Sequence, residues 1–271
     1  MHRRHGWIGV VALFTLAGSA VGQAPAPGDN IEPRAREIFT QMGVFLVNAR
    51  QFSFRARDMM DEVTDSGMKI QLGSTKRIAV RRPDRITAQL VGDGLNERIW
   101  YDGRTLSIHD RDENVYAVLE VPDNIDQMID YVARTFGVVM PLADLLFSDL
   151  QESTLRDVWF GFYVGRHDVL GVPCHHLAFR QNAVDWQIWI EDSDKPLPRK
   201  LVITYKSLPG QPEFIAFLDE WNLSPELPDE IFVFTPPTGA TKIDMQRIVD
   251  QPRLEPDTGD GETQPESPSE E

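Results

Sequence analysis

The sequence predicts an α+β fold, a long antiparallel sheet that curves without closing and carries helices over one face. Three observations predict it. Short segments with apolar residues at every second position recur along most of the chain, the period of half-buried strands. Two stretches, one near the start and one near the middle, switch to helical spacing. The alternating segments leave an apolar sheet face, and those two stretches are the only apolar elements left to cover it.

At the N-terminus, Arg3 and Arg4 precede an apolar run from Trp7 to Ala17 and then small residues, so residues 1–22 read as a secretory signal peptide cleaved between Ala20 and Ala24. That run is shorter than the roughly 20 apolar residues a spanning helix needs. No cysteine lies near the cleavage zone, so the expected product is exported, periplasmic, not lipidated and without a transmembrane anchor. Residues 23–32 read as a flexible linker, 33–250 as one domain, and 251–271, rich in Pro, Ser, Gly and Glu, as a disordered acidic tail. Of the net charge of −15, the tail carries −6 and the first 22 residues +2, which leaves −11 on residues 23–250. An acidic body disfavours nucleic acid and anionic headgroups as partners. The single cysteine makes no internal disulfide, so stability rests on core packing.

From Pro33, the spacing of Ala35, Ile38, Phe39, Met42, Phe45, Leu46 and Ala49 predicts an amphipathic helix. QFSFRAR, MKIQL, RIAV, RITAQL, RIWY and TLSIH then predict strands, separated by turns at Asp65-Ser66-Gly67, Pro83-Asp84, Asp93-Gly94 and Asp102-Gly103. After Val121-Pro122 a helical stripe returns, and the segment Phe136 to Phe147 follows with nine of twelve residues apolar; Pro141 is expected to break the helix or start another. VWFGFYVG, HHLAF, WQIWI, KLVITYK, EFIAFLDEW and IFVF predict the remaining strands, about 11–12 in all.

GVPCHHLAF holds the only cysteine beside two histidines. On a strand, Cys174 and His176 share one face and His175 the other, so the two histidines cannot share a metal, and His109 and His167 stand apart. No metal and no cofactor are expected. A thiol nucleophile at Cys174 with His176 as base is one enzymatic reading the spacing permits, and a carboxylate pair of the glycosidase kind is another that nothing selects; the first is disfavoured against a small buried side chain. No Gly-x-Ser-x-Gly, His-Glu-x-x-His or phosphate-cradling loop is present. Asp185 and Glu191 read as the solvated ends of a strand, and Trp186, Ile188 and Ile190 as core residues with Trp189 on the opposite face.

The run AVRRPDRI followed by RIWYDGRTLSIHDRDENVYA, then WQIWIEDSDKPLPRKLVITYK and FVFTPPTGATKI, resembles the LolA/LolB-like superfamily, and within it an uncharacterised branch of predicted periplasmic proteins. The likeness spans about Pro33 to Ile243. It implies an unclosed β-barrel whose hydrophobic hollow is capped by helices and accepts acyl chains, with the arginine before the motif proline, Arg82, latching the lid. The expected function is therefore to bind or carry a hydrophobic ligand, a lipid or an acylated lipoprotein, between sheet and lid. The apolar excess of residues 123–149 supplies the candidate lid contacts: Ile125, Met128, Ile129, Val132 and Phe136 from the helix, then Val139, Met140, Leu142, Leu145 and Leu146. Phe160, Phe162, Ile188 and Ile203 are the candidate contacts from the sheet. The alternative is a sensor or interaction module like RseB, which docks an envelope protein and holds no ligand.

Overall fold

Pro33 presets the first helical turn, and the computed structural model, which describes residues 30–64, 66–138 and 140–249, has helix α1 at Pro33–Asn48. It buries the stripe Ala35, Ile38, Phe39, Met42 and Leu46. The chain is already held two residues earlier. Ile31 is buried and bridges Gly161, and the Glu32 carboxylate accepts the Tyr163 amide at 2.9 Å. The signal peptide, most of the linker, and the tail lie outside the described residues.

Six strands follow: β1 Gln51–Val63, β2 Lys69–Arg81, β3 Arg85–Gly92, β4 Leu95–Tyr101, β5 Thr105–Asp110 and β6 Val115–Glu120. Helix α2 spans Ile125–Phe136, a 3₁₀ turn Ala143–Leu146, and helix α3 Leu150–Leu155. The second run is β7 Phe160–Val169, β8 Val172–Arg180, β9 Val184–Glu191, β10 Pro198–Tyr205 and β11 Glu213–Asn222; a 3₁₀ turn at Asp229–Phe232, the short strand β12 Thr241–Lys242 and helix α4 Met245–Val249 complete the chain. The strands form one sheet in the order β12-β6-β5-β4-β3-β2-β1-β11-β10-β9-β8-β7. Every pairing is antiparallel except that of β12 with β6. Two meanders meet where β1 pairs with β11, and β7 and β12 remain edges, so the sheet is unclosed. The helices cover one face, called inner below; α1 meets it where Phe39 packs its ring against Phe179 and Trp186.

Several elements differ from the sequence reading, with α3, β12 and α4 among the additions. MKIQL and RIAV are one strand, β2, paired with β1 without interruption from Lys69 to Arg81. IFVF is no strand. Pro228 precedes it and Pro236-Pro237 follow, and residues without an N–H cannot extend a ladder. The segment instead turns 3₁₀ and crosses the outer face, where Phe234 packs on Trp100 and Tyr116. The strand VYAVLE, β6, is added. Helix α2 stops at Gly137, which takes the left-handed φ of 66° that favours glycine, four residues ahead of Pro141.

Candidate functional site

Alternation places Leu177, Phe179, Trp186, Ile188 and Ile190 on the inner face, all buried, and Trp189 on the outer face. The roof laid over them starts at α2. Asn124 caps its first turn by accepting from the Gln127 amide, and Ile125 donates its amide to the Pro83 carbonyl. In the same first turn, Asp126 accepts from both the amide and the hydroxyl of Ser148, which folds the segment after Gly137 back along the helix. Arg82 lies beneath. Its Nη1 donates to the Leu146 carbonyl and its guanidinium sits 5.6 Å from the centre of the Phe52 ring, while Nε and Nη2 are buried without partners. Burial lowers the pKa of Arg82, against the opposing pull of Asp126.

Most of the predicted lid residues fill the space beneath the roof. Ile125, Met128, Ile129, Val132, Leu142, Leu145 and Leu146 belong to one buried core with α1 and the sheet, and Phe136 and Met140 pack partly buried against it. Under these residues lies packed core, where the sequence predicts a hollow. Val139 falls outside the described residues. Ile188 is core. Phe160 and Phe162 are not under the roof at all: in the β7–β8 register they face Arg180 and Ala178 on the outer side, each 41% exposed. The inner positions of that strand go to Gly161 and Tyr163. A Cβ on Gly161 would meet the Phe179 ring at 2.5 Å, so the larger side chains must point outward.

What stays open is a groove of about 670 Å³ between the roof and strands β9 and β10. Its apolar walls include Ile129, Val138, Met140 and Phe147 from the roof and Val184 and Ile203 from the sheet. Thus Ile129, Met140 and Ile203 of the predicted contacts meet at one opening. The polar rim is Asp126, Asp130, Asp144, Asp149 and Glu152, with Arg156 as the basic side chain among them. Among the lining residues that the sequence reading did not name as contacts, two carry polar groups of consequence. Asp144 opens into the groove, and desolvation by the surrounding walls raises its carboxyl pKa. Tyr205 ends β10 with its hydroxyl buried and unpartnered, and burial followed by the nearby Asp144 charge pushes its pKa up to about 12. Tyr205 stands two residues beyond Ile203 on one strand face, so alternation alone could have placed it there. A more open depression of about 720 Å³ runs along the exposed flank of α1, past Val44 and Phe45; none of the buried unpartnered polar atoms found among the described residues belongs to its lining.

The cysteine cluster lacks the geometry of a thiol nucleophile. Cys174 is fully buried, its Sγ points at the Val172 carbonyl at 3.3 Å, and burial raises its pKa to about 11, so the thiol stays protonated at neutral pH. His176 stacks on Trp189 and engages Gln187 at 2.9 Å. His167, which the sequence leaves apart, meets His176 with their Nδ1 atoms 3.2 Å from each other. A bulge between Tyr163 and Gly165 shifts the register and brings His167 onto the face of Cys174 and His176. Asp185 and Glu191 are paired, Asp185 with Arg180 and Lys206 and Glu191 with Arg199. Among the described residues, no group of three or more His, Cys, Asp or Glu side chains is placed to hold a metal ion.

The architecture is an open antiparallel sheet, roofed on one face by helices, with an apolar groove under the eave. The chain belongs to the family described as "Predicted periplasmic protein (DUF2092)", which it matches over residues 35–246. Among solved structures it is similar to an uncharacterized conserved protein from Thermus thermophilus, with 8% identity, 78% of this chain and 99% of that one covered, and a TM-score of 0.47. It is also similar to the lipoprotein LppX of Mycobacterium tuberculosis, with 10% identity, 72% and 98% covered, and a TM-score of 0.42. A LolA superfamily protein from Nitrosomonas europaea matches with 9% identity, 74% and 97% covered, and a TM-score of 0.32. No curated protein matches the chain. No helix among the described residues is long and apolar enough to cross a membrane.

Proposed function

We propose that this is a periplasmic protein that binds and carries a hydrophobic ligand, a lipid or the acyl part of a lipoprotein, in the groove between roof and sheet. The observation that carries this reading is the groove itself. Its volume of about 670 Å³ is that of a small-molecule site, and its walls are mainly apolar side chains drawn from two separate layers. A carrier must also release its load. The described residues between Gly137 and Ala143 belong to no helix or strand, and the Arg82 donation to the Leu146 carbonyl is a single bond, so this part of the roof is the part able to lift. Arg82 acts as the latch. Ile129, Met140 and Ile203 contact the ligand directly, while Ile125, Met128, Val132, Phe136, Leu142, Leu145 and Leu146 support the roof from within.

Native mass spectrometry of the protein taken from its own cell envelope tests the reading. A bound mass with an acyl signature is expected. An unliganded protein that emerges instead with an envelope protein attached would replace the carrier by the sensor.

A further inference from the structure

The groove is apolar along its walls but far from neutral at its rim. Asp126 is used by Ser148, Asp130 pairs with Arg134, and Asp149 caps α3 through the Glu152 amide. The carboxylates of Asp144 and Glu152 take part in no hydrogen bond or ion pair among the described residues, although both line the opening. A set of acids at a helix-rich surface is commonly no more than a solvated edge. A second, unrelated feature points at the same place. Tyr205 lines the groove and is only 9% exposed, and its hydroxyl is buried beside it with nothing to bond. A buried hydroxyl without a partner is unfavourable, and native proteins rarely keep one unless another group completes it. Tyr205 and Asp144 are near enough for the aspartate charge to act on the phenol. One can accept a hydrogen bond and the other can accept a charge-assisted one, so a group with several N–H donors and a positive charge satisfies both.

We propose that the groove selects amphiphiles with a cationic head, an ammonium or guanidinium group, seated between the Asp144 carboxylate and the Tyr205 hydroxyl while the chain lies over Ile203, Val138 and Met140. This inference rests on the groove being the ligand site. It narrows the ligand from any acyl chain to one whose polar end carries N–H donors. Glu152 adds to the field at the opening, and Arg156, also in the lining, disfavours a second cation, which limits the head to a single charged group.

Titration calorimetry on the full mature chain tests it with three probes of one chain length, dodecylammonium, dodecyl sulfate and dodecyl maltoside, each below its micellar concentration. Dodecylammonium is expected to bind about tenfold tighter than either of the others. The mature chain, with −11 on residues 23–250 and −6 on the tail, attracts any cation, so the preference counts only as far as one uncharged substitution removes it. Asp144→Asn is expected to remove most of it. Tyr205→Phe should weaken dodecylammonium severalfold and leave the apo protein as stable or more so, because it deletes a hydroxyl that had no partner; a purely structural tyrosine would show no such split. Equal binding of the three heads, or a preference that survives Asp144→Asn, overturns the selection and leaves the hydrophobic site standing. Failure of all three to bind overturns both.

Discussion

The centre of the sheet and the roof above it are held together by different means. Strands β1 and β2 pair residue for residue from Gln51 with Arg81 to Val63 with Lys69, and β1 is locked to β11 on its other side. Arg55 and Arg57 both reach Asp219 across that seam. The roof has no such ladder. It is fixed by apolar side chains pressed into the core, by Asp126 on Ser148, and by Arg82 on Leu146. Buried unpartnered polar atoms follow the same division among the described residues. Arg82 Nε and Nη2, Thr154 Oγ1, Trp159 Nε1 and Tyr205 OH lie in or next to the roof, against Asp58 Oδ1 in the sheet. Satisfied backbone makes a scaffold, whereas apolar burial joined to a few single bonds makes a part that opens below the free energy of global unfolding.

The largest effect should come from breaking the scaffold. Leu218 of β11 is almost fully buried opposite Ala56. Leu218→Ala should cost about 2–5 kcal/mol in global stability, read from the midpoint of denaturant unfolding, with slope unchanged. The roof should respond otherwise. Arg82→Ala removes a bond to one carbonyl and a buried charge at once, so its global effect is small. Exchange of the roof amides, from Asp126 to Leu155, should instead accelerate by an amount equivalent to about 1–3 kcal/mol of local opening, while the β1–β2 amides keep their protection. If both regions lose protection equally, the roof is part of the same cooperative unit and the distinction collapses.

A smaller and more pointed contrast lies in two aspartates whose pKa values move in opposite directions. Hydrogen bonding from Arg55, aided by Arg57, lowers the pKa of Asp219. Its contribution to stability is therefore present above the ordinary carboxylate value of about 3.9 and is lost as the pH falls through the lowered one. Burial raises the pKa of Asp144. Its contribution has the reverse sense: present below about 3.9, and lost as the pH rises through the raised value. Melting profiles across acidic pH should show Asp219→Asn blunting the low-pH loss, and Asp144→Asn removing the decline on the higher side. A decline that persists in Asp144→Asn would place that proton elsewhere.

How much of this was readable in the sequence depends on whether a residue is governed by its neighbours in the chain or across the sheet. Helix α1, helix α2 and the turns Asp93-Gly94 and Asp102-Gly103 follow from local spacing and turn chemistry. VYAVLE escaped because it does not alternate: β6 is covered on both sides, by α4 at Ala117 and by Phe234 at Tyr116, and a strand covered on both faces reads as a plain apolar run. The misreading of IFVF is the same fact seen from the other side, since that segment is the cover. The His167–His176 contact needed a one-residue bulge that no spacing rule supplies. At the site, Ile129, Met140 and Ile203 were legible as apolar excess on the roof and alternation on β10. Tyr205 was open to the same alternation argument, two residues beyond Ile203, whereas Asp144 was not, because its place at the groove depends on how the segment after Gly137 folds back against β10.

Phe160 and Phe162 provide the gentlest test of the two-region picture. In sequence they belong with the site; in the structure they stand on the outer face of an edge strand, in ring contact with each other at 5.7 Å. Their removal leaves no cavity in the core and touches neither the roof nor the groove lining. Phe162→Ser should therefore change stability by no more than about 0.5 kcal/mol and leave dodecylammonium binding unaltered, measured by thermal melting and calorimetry on one preparation. A marked loss of binding in that variant would mean that the outer face takes part in ligand capture, and the groove would then be only half of the site.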